Sequence, residues 1–213
     1  MKKIVAILSL VVVVVFSSLI AESDPYTVLK DVAGFKSKLN QKNQTINTLR
    51  CDFVQEKSLS FMAQKVLSKG IMMYKKPDMM KLEYTTPFSY IMSLYKGKVI
   101  VKDNGKVNKY DTKSNKVFKY VNDLMIAAVQ GNVADSKDFT IVYKENSKLY
   151  LMEMTPIDVF MKDYVTKVNV TVSKTDFGVL TVEMTEKSGD YTLITFTNRV
   201  YNTPIKDEAF LVQ

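Results

Sequence analysis

Between Ser68 and Asp111 the sequence reads SKGIMMYKKPDMMKLEYTTPFSYIMSLYKGKVIVKDNGKVNKYD, a ladder of short alternating segments punctuated by Pro77, Pro87, Lys96-Gly97 and Asn104-Gly105. Strand side chains alternate between faces, so Met72 and Tyr74 share one face while Ile71 and Met73 share the other. Both faces carry apolar groups, many of them methionine, so the pattern leaves open which one points inward. A meandering antiparallel sheet with a soft apolar surface suits a protein that holds something apolar. An enzyme more often shows a few converging polar groups, and this stretch shows none.

The same period extends along the chain. Segments at 50–57, 66–76, 79–86, 88–95, 98–103 and 106–111 read as strands, followed by 138–145, 148–154, 165–174, 178–186 and 190–201. Asp103-Asn104-Gly105 signals a type I′ hairpin turn. Residues 24–48 read as a helix, with Asp24 as cap, Pro25 at its first position and an apolar stripe that runs on through Ile46 and Leu49. Gly34 and the Asn40–Asn43 stretch weaken that helix locally. A second, short helix is predicted over 121–130, capped by Asp123 and ended by Gly131, and it is apolar almost all round. Such a helix is either buried or plugs something. A helical turn is expected at 157–163. A sheet of ten or eleven strands curls, because a flat open sheet of that width is unusual. The fold class is therefore mainly β with some helix: an incomplete, strongly curled antiparallel barrel whose open side is covered by helices.

The chain opens MKKIVAILSLVVVVVFSSLIAES. Lys2 and Lys3 precede an apolar run from Ile4 to Phe16, too short to span a bilayer but suited to a secretory leader. Cleavage is expected near Ala21–Ser23, which gives a leader over 1–23 and one domain over 24–213. No cysteine lies near that boundary, so the mature N-terminus is not expected to be lipidated. The product is read as soluble and exported. The whole sequence has 30 basic and 22 acidic residues, a net charge of +8. Loss of Lys2, Lys3 and Glu22 lowers that by one. The charge is dispersed through KKP, KSNK, KTD and EKSGD turns, which reads as solvated strand faces, and nucleic acid is not an expected partner.

Cys51 is the one cysteine, so no internal disulfide is available and the core alone must hold the fold. In Leu49-Arg50-Cys51-Asp52-Phe53 the thiol shares a face with Leu49 and Phe53, which reads as a buried small apolar group. The sequence has no histidine, which removes imidazole metal sites and histidine-based triads. No metal and no cofactor is expected, and no catalytic constellation is present. Glu83 beside Lys81 reads as half of a charge pair.

Eleven of the twelve methionines follow residue 23, among them Met72, Met73, Met79, Met80, Met92, Met152, Met154 and Met184. Methionine is unbranched and polarizable, so it can line a cavity for flexible chains or simply fill a strand core. The apolar helix 121–130 favours the cavity, since a mobile apolar helix can fill it when empty.

These residues resemble the LolA family, the periplasmic lipoprotein carriers of Gram-negative bacteria. The likeness lies in Phe53-x-Gln55, Ser68-Lys69-Gly70, Lys75-Lys76-Pro77, Lys81-Leu82, Pro87, and Gly105 with Tyr110. It continues through the apolar segment 123–130 and the closing series Thr192, Phe196, Asn198, Asn202, Ile205 and Phe210. The resemblance implies an incomplete barrel with a helical lid and shuttling of acylated lipoproteins from inner to outer membrane, and the lack of a catalytic constellation leaves no enzymatic activity expected. It further implies an inner-membrane ABC transporter and an outer-membrane acceptor as partners, with the carrier as a monomer. A cavity lined by Met72, Tyr74, Met80, Leu82, Tyr84, Leu124, Met125 and Val129 is expected. Lys76 stands where the family has an arginine that ties the sheet to its covering helices, and Leu82 stands where it has a tryptophan. Lys76 is thus the expected lid latch, with a less directional grip than a guanidinium. Two alternatives stay open: an envelope-stress sensor module of the same fold, against which the length of the chain argues, and a carrier of another amphiphile such as a glycolipid.

Overall fold

Turn chemistry and strand period place nearly every element. The computed structural model describes residues 24–62, 64–111, 134 and 136–212. Its strands are β1 (Thr27–Val28), β2 (Thr48–Ser58), β3 (Val66–Lys75), β4 (Met79–Thr86), β5 (Tyr90–Tyr95), β6 (Lys98–Asp103) and β7 (Lys106–Asp111). They continue as β8 (Phe139–Glu145), β9 (Leu149–Pro156), β10 (Val165–Ser173), β11 (Val179–Glu186) and β12 (Tyr191–Tyr201). All pair in one antiparallel sheet ordered β1-β8-β9-β10-β11-β12-β2-β3-β4-β5-β6-β7. It is open, with β1 and β7 at its edges. Asn104 (φ 47°) and Gly105 (φ 77°) both lie in the left-handed region, as a type I′ turn requires, and Lys96 (φ 51°) and Gly97 (φ 73°) do the same between β5 and β6.

Two expectations are corrected. The described strands number twelve, because Thr27–Val28 adds an edge strand to β8. Residues 24–48 are not one helix: α1 covers Val32–Gln44 only, so Ile46 lies beyond it and Leu49 belongs to β2. The cap is Asp31, whose carboxylate accepts the Gly34 N–H at 2.8 Å. That carboxylate fills the space a Cβ at Gly34 would occupy (a Cβ there would lie 2.7 Å from Asp31 Cγ), which explains glycine in a first turn. Asp24 instead accepts hydrogen bonds from the Ser147 amide and hydroxyl across the sheet edge. The helical turn expected at 157–163 is α2 (Val159–Lys162). The plug helix predicted over 121–130, with Leu124, Met125 and Val129, lies outside the described residues.

One face of the sheet forms the core. Helix α1 lies on it, with the Phe35 ring 4.5 Å from that of Tyr150 and 6.2 Å from that of Tyr143. The opposite face is mostly polar and ion-paired, as between Lys81 and Glu83 at 3.2 Å and between Glu153 and Lys144 at 2.8 Å. It carries an apolar patch where the chain's end docks. The C-terminal 3-10 helix, Asp207–Phe210, lies across β4 and β5 there. It buries Phe210 completely, and Ser93 Oγ donates to the Phe210 carbonyl at 2.6 Å. Lys75 Nζ holds the same segment by donating to the Ile205 carbonyl at 2.8 Å and to Asp207 at 2.6 Å.

Candidate functional site

The hairpin registers decide which face is inward. Leu49 opposes Tyr74, Cys51 opposes Met72, and Phe53 opposes Gly70. Across the next ladder Met72 opposes Leu82, Tyr74 opposes Met80, and Gly70 opposes Tyr84. Directly opposed residues share a face. Met72, Tyr74, Met80, Leu82 and Tyr84 therefore lie together on the core face, joined by Met92 and Leu94 of β5. Met72, Tyr74, Met80 and Leu82 are each at most 4% exposed, while Tyr84 is half-buried. Ile71 and Met73 take the outer face.

Through β2 this face continues into the second half of the sheet. Phe53 opposes Phe196, Val182 opposes both Ile194 and Val170, and Val170 opposes Met152. Met152, Met154, Val168, Val170 and Val172 have no exposed surface. Methionines from β3, β4, β5, β9 and β11 thus contribute to one apolar surface.

Its polar groups are few. Tyr84 donates to Gln55 Oε1 at 2.8 Å, and burial pushes its phenol up to about 12. The Tyr84 ring packs edge-on against Phe53 at 4.9 Å and Tyr90 at 5.5 Å. Gly70 makes this stack possible, since a Cβ there would lie 2.6 Å from Phe53 Cζ. Gln55 and Tyr90 were not among the residues expected to line the site. The glycine inside strand β3 is the signal that a ring crosses there. Burial pushes the Cys51 thiol up to about 12, which makes it an inert member of the core. Among the described residues no group of three His, Cys, Asp or Glu is placed to hold a metal ion.

Lys76 follows β3 at the end of the sheet where α1 terminates. Its ammonium donates to the Gln44 carbonyl at 2.9 Å and to the Asn43 carbonyl at 3.4 Å. Those carbonyls close the last turn of α1, where a cation is favoured by the helix dipole and by orphan acceptors. Asn202 reinforces the junction, accepting from the Asn47 amide at 2.8 Å and donating to the Thr45 carbonyl at 2.9 Å. Lys42 lies over the Tyr201 ring at 4.7 Å. Beneath the junction is a small cavity of about 30 Å³. Cys51, Met72 and Phe196 form its apolar wall, and Asn43, Arg199 and Tyr201 its polar one.

Comparison with solved structures gives similar folds at low identity. A LolA superfamily protein from Nitrosomonas europaea is 11% identical, with 85% of this chain and 97% of that chain covered and a TM-score of 0.45. MucB of Pseudomonas aeruginosa, in its complex with MucA, is 12% identical over 86% of this chain and 61% of its own, with a TM-score of 0.48. The lipoprotein LppX of Mycobacterium tuberculosis is 6% identical, with 82% and 97% covered and a TM-score of 0.44. No curated protein matches the sequence. The family model for the outer membrane lipoprotein carrier protein LolA matches residues 44–213, from the last residue of α1 to the end of the sequence. By that match the chain belongs to the LolA family.

Proposed function

We propose that this protein is a periplasmic carrier that takes the acyl chains of lipoproteins onto its inner face and delivers them to the outer membrane. The observation that carries the reading is the common face of Met72, Tyr74, Met80, Leu82 and Tyr84, continuous with the methionines and valines of β9 and β10. A surface of unbranched, polarizable side chains can repack around chains of variable shape. Each methylene transferred from water contributes about 0.8 kcal/mol, so one long acyl chain supplies roughly 10 kcal/mol of gross driving force.

Release needs an opposing term. Helix α1 covers part of the inner face and is held at its C-terminal end by Lys76, so cargo competes with these closed-state contacts. The leader-like N-terminus supports export, and residues 24–213 act as a single domain and a monomer. Loading comes from an inner-membrane ABC transporter and unloading goes to a tighter outer-membrane acceptor. No step is catalytic.

The test is to express the full sequence in a Gram-negative host, purify the protein from the periplasm and identify what accompanies it by mass spectrometry. Triacylated proteins are the expected result. Free lipids or glycolipids alone would make it a carrier of another amphiphile, and the recovery of no lipid and no acylated protein would overturn the carrier reading.

A further inference from the structure

Asn43, in the last turn of α1, has an unfinished hydrogen-bond inventory. It is only 6% exposed. Its carbonyl accepts from Lys76 and from the Ile46 amide, but its side-chain Nδ2 has no partner among the described residues. A buried, unpaired amide donor is costly, on the order of 1–3 kcal/mol, and in folded proteins nearly all such groups find an acceptor. Asn43 lines the cavity described above. The acceptor that completes it therefore belongs in that space.

The cavity wall narrows what the acceptor can be. Cys51, Met72 and Phe196 belong to the inner face, so whatever enters has an apolar body lying along the core surface. Arg199 stands on the polar side, yet its guanidinium is already committed: one nitrogen donates to the Val179 carbonyl at 2.9 Å and another to the Asp176 carboxylate at 2.9 Å. That ion pair leaves no uncompensated positive charge from Arg199 to attract an anion. The site suits an uncharged acceptor on an apolar chain. A cavity of this size has room for roughly two water molecules, or for a carbonyl group at the head of a chain that runs onward over the core.

Resting on the carrier reading, we propose that Asn43 is the residue that binds the ester or amide carbonyl of an acyl chain, so that the protein selects acylated molecules over bare hydrocarbon and over free fatty acids. The hydrophobic face supplies affinity without preference for the head of the chain. Asn43 supplies the preference, because an occupant lacking the carbonyl leaves Nδ2 unpaired.

The test uses the mature protein and its Asn43→Leu variant, titrated with methyl palmitate, palmitate and hexadecane delivered from cyclodextrin. Leucine keeps the branched shape and heavy-atom count of asparagine and removes the donor. Wild type is expected to bind methyl palmitate about tenfold more tightly than the variant does, and hexadecane no more tightly than the variant does. Wild type should also prefer the ester to palmitate, and the variant should melt no lower than wild type. Equal ester affinity in the two proteins overturns the assignment, as does a preference of wild type for palmitate. A variant that melts several degrees lower and loses all three probes alike makes Asn43 a structural cap only. Failure of wild type to bind any of the three removes the carrier reading together with this one. Hexadecane binding without ester preference removes this one alone.

Discussion

Lys75 and Lys76, adjacent in sequence, fasten opposite layers of the molecule. Lys75 reaches the outer face and holds the C-terminal segment through the Ile205 carbonyl and Asp207. Lys76 reaches the core side and holds the end of α1 through the Gln44 and Asn43 carbonyls. Lys76→Leu is expected to loosen α1, each lost hydrogen bond being worth on the order of 1 kcal/mol. Hydrogen exchange of the α1 amides should accelerate, cargo should bind more tightly, and release to the acceptor should slow. Lys76→Arg should shift release the other way, because a planar fork can engage both carbonyls at once. Unchanged exchange and release in both variants would reduce Lys76 to a surface charge.

Cys51 offers a built-in reporter of that opening. It is 1% exposed, and burial, which outweighs the nearby Arg199 charge, holds the thiol up to about 12 against an ordinary 9.0. The folded state thus retains a proton that the unfolded chain gives up. The stability linked to this thiol is fully present below pH 9, and it falls as pH rises from there towards 12. At pH 8 a disulfide reagent such as DTNB should leave the native protein unlabelled on the timescale of minutes. Lys76→Leu should label faster, and labelling of wild type at the rate of a free thiol would contradict the burial.

The outer-face clasp predicts a coupled pair. Phe210→Ala empties a fully buried site and should cost about 3–5 kcal/mol. Ser93→Ala leaves the Phe210 carbonyl without its donor, at a cost of about 1–3 kcal/mol. Because one change removes the reason for the other, the double variant should lose less than the sum. Urea unfolding of the four proteins measures this, and strict additivity would mean that Ser93 and Phe210 act independently.

Burial alone would raise the Asp176 carboxyl, but hydrogen bonds from Ser173 and Gly178 and the charge of Arg199 outweigh it and hold the group below its ordinary 3.8. A depressed carboxyl stabilises the fold above the unfolded value, and that contribution is lost as pH falls through the folded one. Stability should therefore decline below about pH 4. Asp176→Asn should lower stability at neutral pH and flatten part of the acid decline, to which Asp24, Glu56, Glu153 and Asp190, depressed in the same way, also contribute. A variant with the full wild-type acid decline would assign the effect elsewhere.

Eleven strands were legible because their alternation and turn residues agree: Asn104-Gly105 and Lys96-Gly97 take the positive φ angles their turns demand. The common face of Met72, Tyr74, Met80, Leu82 and Tyr84 was legible as a group but its direction was not, since Ile71, Met73 and Ile100 make the other face apolar as well. The resolution is non-local, with Phe210 arriving from the far end of the chain to cover part of that second face. Helix α1 was misplaced because Asp24-Pro25 has the chemistry of a cap. Asp24 spends that chemistry on Ser147, and only the fold brings the two together. The unpaired amide of Asn43 likewise needs three dimensions, since asparagine near a helix end ordinarily signals no more than a weak helix.

The sheet order also has a bearing on how the chain assembles. Strands β2–β7 and β8–β12 are two runs of successive hairpins, each built from contacts close in sequence. They meet at a single seam, β2 against β12, where Phe53 faces Phe196 from roughly 140 residues away. Local hairpins close cheaply, whereas that seam must bring distant segments together against loop entropy. Each half can therefore gain its own ladders early, and the seam is the contact expected to form late. Cutting the backbone between β7 and β8 would break no strand pairing among the described residues, so the two halves are natural fragments for reassembly, joined by the β2–β12 seam and by the short β1–β8 pairing.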